Sequence, residues 1–325
     1  MVTKLWENPD IFSIQVELPE NPLRALNSYV ITSPQGNLVI DTGFNRPECR
    51  EDLWRGLEEL GLDLTKTSLF LTHLHADHSG LVWDFVDRGC PVYMGRIDLD
   101  YLENRRNITF MEGLFRQEGF PQAVLDRQAR ENQARRYSAA PGFPAQPVED
   151  GQVLQLAGLE LRCIHTPGHT PGHMVLYLPR QRLLFSGDHI LFDITPNIAV
   201  WSTVPHSLAD YLASLDKLRG LDVQRTFPAH RGGGEDVYRR IGQLEAHHAQ
   251  RLEEIFQAVA ACPGSTAYEL AGRITWSARG LGWEQFPPHQ KWFAMGETLS
   301  HLRWLAHHGR VVRTEEEGLF RYYPA

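Results

Sequence analysis

Apolar residues in the first half of the chain come in short bursts separated by turn residues. Ser28 to Thr32 is a β-branched and aromatic run and Asn37 to Ile40 another, with Pro34-Gln35-Gly36 between them. This spacing predicts two strands joined by a tight turn. Pro47 to Leu60 places Leu53, Leu57 and Leu60 on one helical face. Ser68 to Thr72 is an apolar strand that runs into His73, a helix is expected to begin near Ser79, and Pro91 to Met94 reads as a further buried strand. Strands resume at Gly151 to Leu156, Leu159 to His165, Met174 to Leu178 and Leu183 to Ser186. Ser207 to Leu218 follows as a helix, with Ser207 as its expected N-cap, and Gln224 to Pro228 as a last strand ending at His230.

Two stretches break this texture. Arg96 to Arg136 is helical in pattern and rich in arginine (Arg105, Arg106, Arg116, Arg127, Arg130, Arg135 and Arg136), interleaved with acids such as Glu112, Glu118 and Glu131. Pro141, Pro144 and Pro147 close it as an irregular connector. It reads as a solvated helical pair or, alternatively, as a lid whose arginines meet an anionic substrate. The second stretch begins near Glu235, with a long helix to Ala261 that Pro263-Gly264 stops. A capping box at Thr266-Ala-Tyr-Glu269 opens the next helix, Pro288 to His308 forms a third, and Arg310 to Tyr323 reads as a hairpin turning at Glu316-Glu317-Gly318. The expected division is a domain over 1–234, with a helical insertion at about 96–147, and a small winged-helix-like domain over 235–325.

Composition narrows the field. Of 325 residues, 42% are apolar and 22% charged, ordinary for a soluble globular protein, and the net charge of −8 disfavours a nucleic-acid partner. Asp236 to Ala325 carry ten Lys and Arg against ten Asp and Glu, too little positive charge for a module that grips phosphates. Cys49, Cys90, Cys163 and Cys262 are scattered without a CxxC pair and read as reduced thiols. Glu7, Pro9 and Asp10 interrupt the N-terminal residues and no membrane-length apolar run follows, so a cytoplasmic protein is expected.

Chemistry concentrates in Thr72-His73-Leu74-His75-Ala76-Asp77-His78. His73 and His75 project to one side of an extended segment, and Asp77 and His78 follow where the chain turns toward a helix. Four metal-type side chains within six residues can serve two metals rather than one. Thr166-Pro-Gly-His169-Thr-Pro-Gly-His173, Ser186-Gly-Asp188 and Phe227-Pro-Ala-His230 each follow a strand directly. In a layered α/β protein such strand ends gather on one edge. His165, His189, His206, His289 and His301 read as non-ligands, and His247-His248 and His307-His308 as solvent-facing helical positions. Trp201 reads equally as pocket lining or packing.

This order of residues resembles the metallo-β-lactamase superfamily over roughly residues 12 to 232. The resemblance implies an α/β fold, the αββα four-layer sandwich, followed here by the small C-terminal helical domain. It implies that His73, His75 and His169 hold one metal and Asp77, His78 and His230 a second, with Asp188 bridging. Asp41, in Val39-Ile40-Asp41-Thr42-Gly43, matches the acid that stands behind the ligand histidines, and His173 is expected to support the site by hydrogen bonding. The cofactors expected are two divalent ions, zinc with iron or manganese as alternatives. Such a pair, about 3.5 Å apart, generates a bridging hydroxide at neutral pH, with Asp77 and Asp188 as the catalytic carboxylates.

The expected reaction is hydrolysis of a thioester or ester of an acidic small molecule, in the manner of hydroxyacylglutathione hydrolases. An endoribonuclease or phosphodiesterase is the alternative, since RNA-cleaving members also carry a winged-helix-like module. A lactonase and an iron-dependent persulfide dioxygenase are further alternatives. The flavodiiron branch fits poorly, because His75 is retained and no flavin-binding segment follows. A homodimer through the C-terminal helices is a possible assembly.

Overall fold

A computed structural model describes residues 1–104, 106–234, 236–276 and 281–325. Arg105, the side chain of Arg106 and Glu235, where the sequence reading places the domain boundary, lie outside the described residues. The chain forms two compact units. The first comprises Met1–Asn104, Gln133–Pro196 and Lys217–Arg240; the second comprises Arg105–Asn132, Asn197–Asp216 and Ile241–Ala325.

The first unit contains a seven-stranded sheet whose strands lie in chain order: β1 (Val2–Trp6), β2 (Asp10–Glu17), β3 (Ala25–Ser33), β4 (Gly36–Ile40), β5 (Thr67–Leu71), β6 (Val92–Gly95) and β7 (Gln146–Val148). Pairing is antiparallel from β1 to β4 and parallel from β4 to β7. A five-stranded sheet holds β8 (Val153–Leu156), β9 (Leu159–His165), β10 (Met174–Leu178), β11 (Leu183–Gly187) and β12 (Arg225–Pro228), antiparallel except for β11 with β12. Every residue of β10 and β11 is buried, which explains their uninterrupted apolar runs.

The inner faces of the two sheets share one core, in which Ile31, Leu38 and Phe70 meet Cys163, Leu176 and Leu183. Tyr29, Phe185 and Phe227 cluster there with ring centroids 4.9 to 5.5 Å apart. On the outer face of the first sheet, Ile14, Val16, Val30 and Val39 pack against Leu53 and Leu57 of the helix Pro47–Glu59. Mixed sheets with flanking helices are the expected sandwich.

β1 and β2 are strands that the apolar pattern of the sequence does not announce. Polar residues interrupt both, and only three of the eight residues of β2, Ile11, Ile14 and Val16, are fully buried. The connector around Pro147 is also partly regular. Gln146–Val148 pairs with β6 as an edge strand, the one place in a sheet where proline's missing N–H costs nothing. Ser207 is not an N-cap: it lies inside the helix Ser207–Arg219, and its buried hydroxyl makes no hydrogen bond.

The second unit holds helices Arg106–Gln117, Gln122–Glu131, Ala267–Ala271 and Pro288–His307, most of Val237–Ala261, and the hairpin of β13 (Val311–Glu316) and β14 (Leu319–Pro324). The hairpin turns through Glu317 and Gly318, both at positive φ (53° and 78°), the backbone of a tight two-residue turn. The Thr266–Glu269 capping box forms as expected.

Two side chains differ from the solvated reading. Glu118 is buried and accepts the Tyr322 hydroxyl on both carboxylate oxygens, at 2.9 and 3.0 Å, and burial pushes its carboxyl up to about 7. His248 is buried as well, within 3.1 Å of His301 Nε2, whereas His307 and His308 are exposed. Other acids of the arginine-rich stretch do pair at the surface, as in Arg127 with Glu131 at 2.8 Å.

Helix propensity and packing make opposite predictions at Gly56, and the packing decides. Alanine in an exposed helix is worth about 1 kcal/mol over glycine. Here a Cβ would lie 2.6 Å from Cγ2 of Ile14, which is buried on β2. Gly56→Ala should therefore destabilise the protein by about 1–3 kcal/mol, read as a lower midpoint in chemical denaturation. A raised midpoint would mean that β2 yields without cost.

Candidate metal centre

The parallel pairing of β4 with β5 puts their C-terminal ends on one edge of the first sheet. In the second sheet β9 and β11 run the same way, because each is antiparallel to β10, and β12 is parallel to β11. Asp41 follows β4, His73 and His75 follow β5, His169 follows β9, Asp188 follows β11 and His230 follows β12. Asp77 and His78 lie in the short helix Ala76–Ser79. Five strand ends therefore deliver side chains to one place.

Those side chains form two adjacent groups. His73, His75, His169 and Asp188 can each present a ligand atom within 4.8 Å of the others, and so can Asp77, His78 and His230. His75 Nδ1 lies 3.0 Å from both His73 Nε2 and His169 Nε2. Two nitrogens on a tetrahedral zinc ion sit about 3.3 Å apart, so three rings turned inward at this spacing fit one ion. Asp188 faces both groups: its Oδ2 is 3.4 Å from His169 Nε2 and 3.7 Å from His78 Nε2, and its Oδ1 is 3.4 Å from His230 Nε2. His230 Nε2 is also 3.5 Å from Asp77 Oδ2.

The outward-facing nitrogens fix the rings. Asp41 has φ +62°, a left-handed conformation that aspartate tolerates, and its carboxylate turns back to accept from Thr72 N, Thr72 Oγ1 and His78 Nδ1, each at 2.8 Å. The Thr72 hydroxyl gives its one hydrogen to Asp41, so at 3.0 Å it accepts from His73 Nδ1. His230 Nδ1 donates to the Ala25 carbonyl at 2.8 Å. His78 Nε2, His230 Nε2 and Asp188 Oδ1 are left buried without a hydrogen bond. Orphaned polar atoms aimed at a common point are costly unless something is coordinated there, so the residues present fit a pair of cations.

His173 is placed differently. Its Nε2 accepts from the Asp188 backbone N–H at 3.1 Å, so Nδ1 must donate to Thr166 Oγ1 at 2.9 Å. Both nitrogens are used, and the ring steers the segment that carries Asp188. His165 Nε2 lies 2.7 Å from the Pro171 carbonyl and stays outside both groups, and Trp201 is buried in the second unit.

Burial and charge set the protonation. Burial and the neighbouring imidazoles hold His73 well below its ordinary value, and burial and His169 hold His75 at about 3. Burial alone would raise the two carboxyls. The facing His78 and His230 outweigh it, holding Asp77 at about 2 and Asp188 well below the carboxylate range. Burial likewise works against charge on His78 and His230, but Asp41, Asp188 and Asp77 raise His78, and Asp188 and Asp77 raise His230. In the first group His73 and His75 are thus neutral imidazoles and Asp188 an ionised carboxylate, the forms that bind metal. In the second group the carboxylates that favour protons on His78 and His230 would equally favour a cation in their place.

One acid reached no sequence motif. Asp98 is fully buried and accepts from Leu74 N at 2.9 Å, Thr170 Oγ1 at 2.6 Å and Gly172 N at 2.5 Å. Its partners lie 24 to 74 residues away in sequence, so local spacing carries no trace of them.

The chain belongs to the metallo-beta-lactamase superfamily, whose sequence profile matches residues 22–230, and the profile of the metallo-beta-lactamase-like C-terminal domain matches 252–325. An atrochrysone carboxyl ACP thioesterase of Emericella nidulans is 28% identical over 235 residues, 72% of this chain and 60% of that protein. A second protein of that description, from a Cryptosporiopsis strain, is 26% identical over 80% of this chain and 62% of its own length. The chain thus spans about 60% of the length of the curated relatives it matches. Among solved structures, a metallo-beta-lactamase family protein of Thermus thermophilus has a TM-score of 0.82 and 29% identity, covering 97% of this chain and 98% of its own. A beta-lactamase domain protein of Burkholderia ambifaria gives a TM-score of 0.83 at 25% identity, covering 100% of this chain and 94% of its own.

The protonation pattern has a signed consequence for the metal-free protein. His73, His75, His173 and His189 are depressed, so below pH 6.5 they bind protons in the unfolded chain and not in the folded one. His78 and His230 are raised, so they are protonated in both states there and contribute no slope. Stability of the chelator-treated protein should fall as pH drops from 6.5 toward about 3, where His75 and His189 titrate in the fold, the four rings outweighing the raised carboxyls of Asp98 (about 6) and Glu118 (about 7), which act in the opposite sense. Thermal unfolding measured across that range checks the sign, and a flat or rising profile would contradict neutral buried rings.

Proposed function

We propose that this protein is a dinuclear metal-dependent hydrolase acting on a thioester or ester of an acidic acyl compound. The observation that carries the reading is the position of Asp188, whose carboxylate lies within 3.4 to 3.7 Å of donors of both groups. His73, His75 and His169 hold the first ion, Asp77, His78 and His230 the second, and Asp188 bridges them. Zinc suits these nitrogen and carboxylate donors, with iron or manganese as alternatives. Two divalent ions held there supply Lewis acidity, bringing the pKa of a water toward 7 and polarising the scissile carbonyl.

The chain's own residues do the rest. Asp77 is ionised and 8% exposed, and in this reading it takes the proton of the attacking water. Asp41 holds His78 and Thr72 so that the second group keeps its shape while charge moves. A thiolate leaves near neutral pH with little need of a proton, because an ordinary thiol has a pKa of about 8.5. A centre whose two carboxylates are held ionised is therefore better matched to a thioester than to an amide. The relatives named as ACP thioesterases support that substrate class, including an acyl group held on a carrier protein. The matches to separate catalytic and C-terminal profiles support a division of labour near residue 235, with chemistry in residues 1–234.

Hydrolysis of an acyl-CoA or acyl-carrier thioester and of a single-stranded RNA, run side by side on metal-reconstituted protein, tests the class. Thioester cleavage is expected. Asp188→Ala should lower it by at least about a hundredfold and reduce bound metal, with far-UV circular dichroism unchanged. RNA cleavage with the same dependence on Asp188 would replace the thioesterase reading by the phosphodiesterase one. Wild-type turnover in the variant would remove Asp188 from the centre.

A further inference from the structure

We propose that Asp98 is a positioning residue of the metal centre, its carboxylate setting the distance between the His73–His75 segment and the His169 loop. The inference rests on the reading of that centre as a metal site. Asp98 sits in the first turn of the helix Arg96–Asn104, where an acid ordinarily serves its own helix. Its bonds go elsewhere. Oδ2 accepts from the backbone N–H of Leu74, between His73 and His75, and from the hydroxyl of Thr170, next to His169. Oδ1 accepts from the N–H of Gly172, next to His173. One buried carboxylate thus joins two segments that carry three of the four donors of the first group.

The surrounding backbone is cut to admit it. A Cβ at Gly172 would collide with the Asp98 backbone nitrogen, and a Cβ at Gly95 with the Gly172 carbonyl. Both glycines let the helix start and the His169 loop approach closely enough for the carboxylate to reach across. Only a carboxylate meets the demand. Three donors converge on it, and an amide of the same shape offers one acceptor oxygen and an NH2 group that must confront an N–H or O–H.

Asp98 acts through backbone and hydroxyl groups and touches no reacting atom, so the readout is metal affinity and local opening. Wild type, Asp98→Asn and Thr170→Val are each titrated with zinc against a chromophoric chelator, and amide exchange at Leu74 and Gly172 is followed in the metal-free proteins. Asp98→Asn should weaken the tighter metal by roughly ten- to a hundredfold and speed exchange at both amides at unchanged far-UV circular dichroism. Thr170→Val, which removes one donor of the three, should move both readouts in the same direction by less. It also keeps the test open if Asp98→Asn fails to fold. Wild-type zinc affinity in folded Asp98→Asn, or in Thr170→Val should the former not fold, would overturn the inference. A wild-type chain that takes up no zinc would overturn the reading of the centre, while faster exchange in Asp98→Asn would still report the clamp.

Discussion

Five imidazoles and two carboxylates facing one another, all but His75 buried, are the constraint from which the rest of the first unit follows. Burial disfavours charge there, yet the carboxylates raise His78 and His230, and those rings in turn hold Asp77 and Asp188 low, because they meet at 3.4 to 3.9 Å. Breaking such a set by removing one member leaves an uncompensated buried charge, which costs more than the pair itself contributes. The strand ends must therefore hold still. They are tied across the sheets as well as within them: Met174 N donates to Thr72 O at 2.9 Å, and Asn27 N to Ala229 O at 2.7 Å.

What the sequence makes legible is what depends on neighbours along the chain. The candidate ligands between His73 and His78 lie within six residues, and the Thr266–Glu269 box and the Glu317-Gly318 turn are four- and two-residue devices. Their chemistry is complete in a short window, so pattern reading finds them. His169, Asp188 and His230 are legible for another reason, since each follows an apolar strand through a Gly or Pro.

The features that escape pattern reading are fixed by distant partners. β2 lies between β1 and β3 and packs Ile14 on the Pro47–Glu59 helix, but its polar interruptions hide the period of two. Glu118 is indistinguishable in sequence from the solvated acids around it until Tyr322, 204 residues on, is known to reach it. His248 and His301 are buried together because their rings can share one hydrogen. For Glu118 and His248 a polar side chain pairs with a group that no local spacing announces, and the default assignment to solvent fails for that reason.

Asp41 and Asp98 solve the same physical problem from two sides. Each is a buried carboxylate meeting three donors, and both grip the single stretch from Thr72 to His78. Asp41 takes the backbone and hydroxyl of Thr72 and the ring of His78, so it sets the orientation of a ligand directly. Asp98 takes the amide of Leu74 midway along that stretch and carries its other two bonds to the His169 loop. A peptide held at its two ends by one acid and at its middle by another has little freedom to relax when a neighbouring charge changes. That rigidity suits two adjacent candidate ligand groups with Asp188 between them, because a shift at either group would be felt by the other.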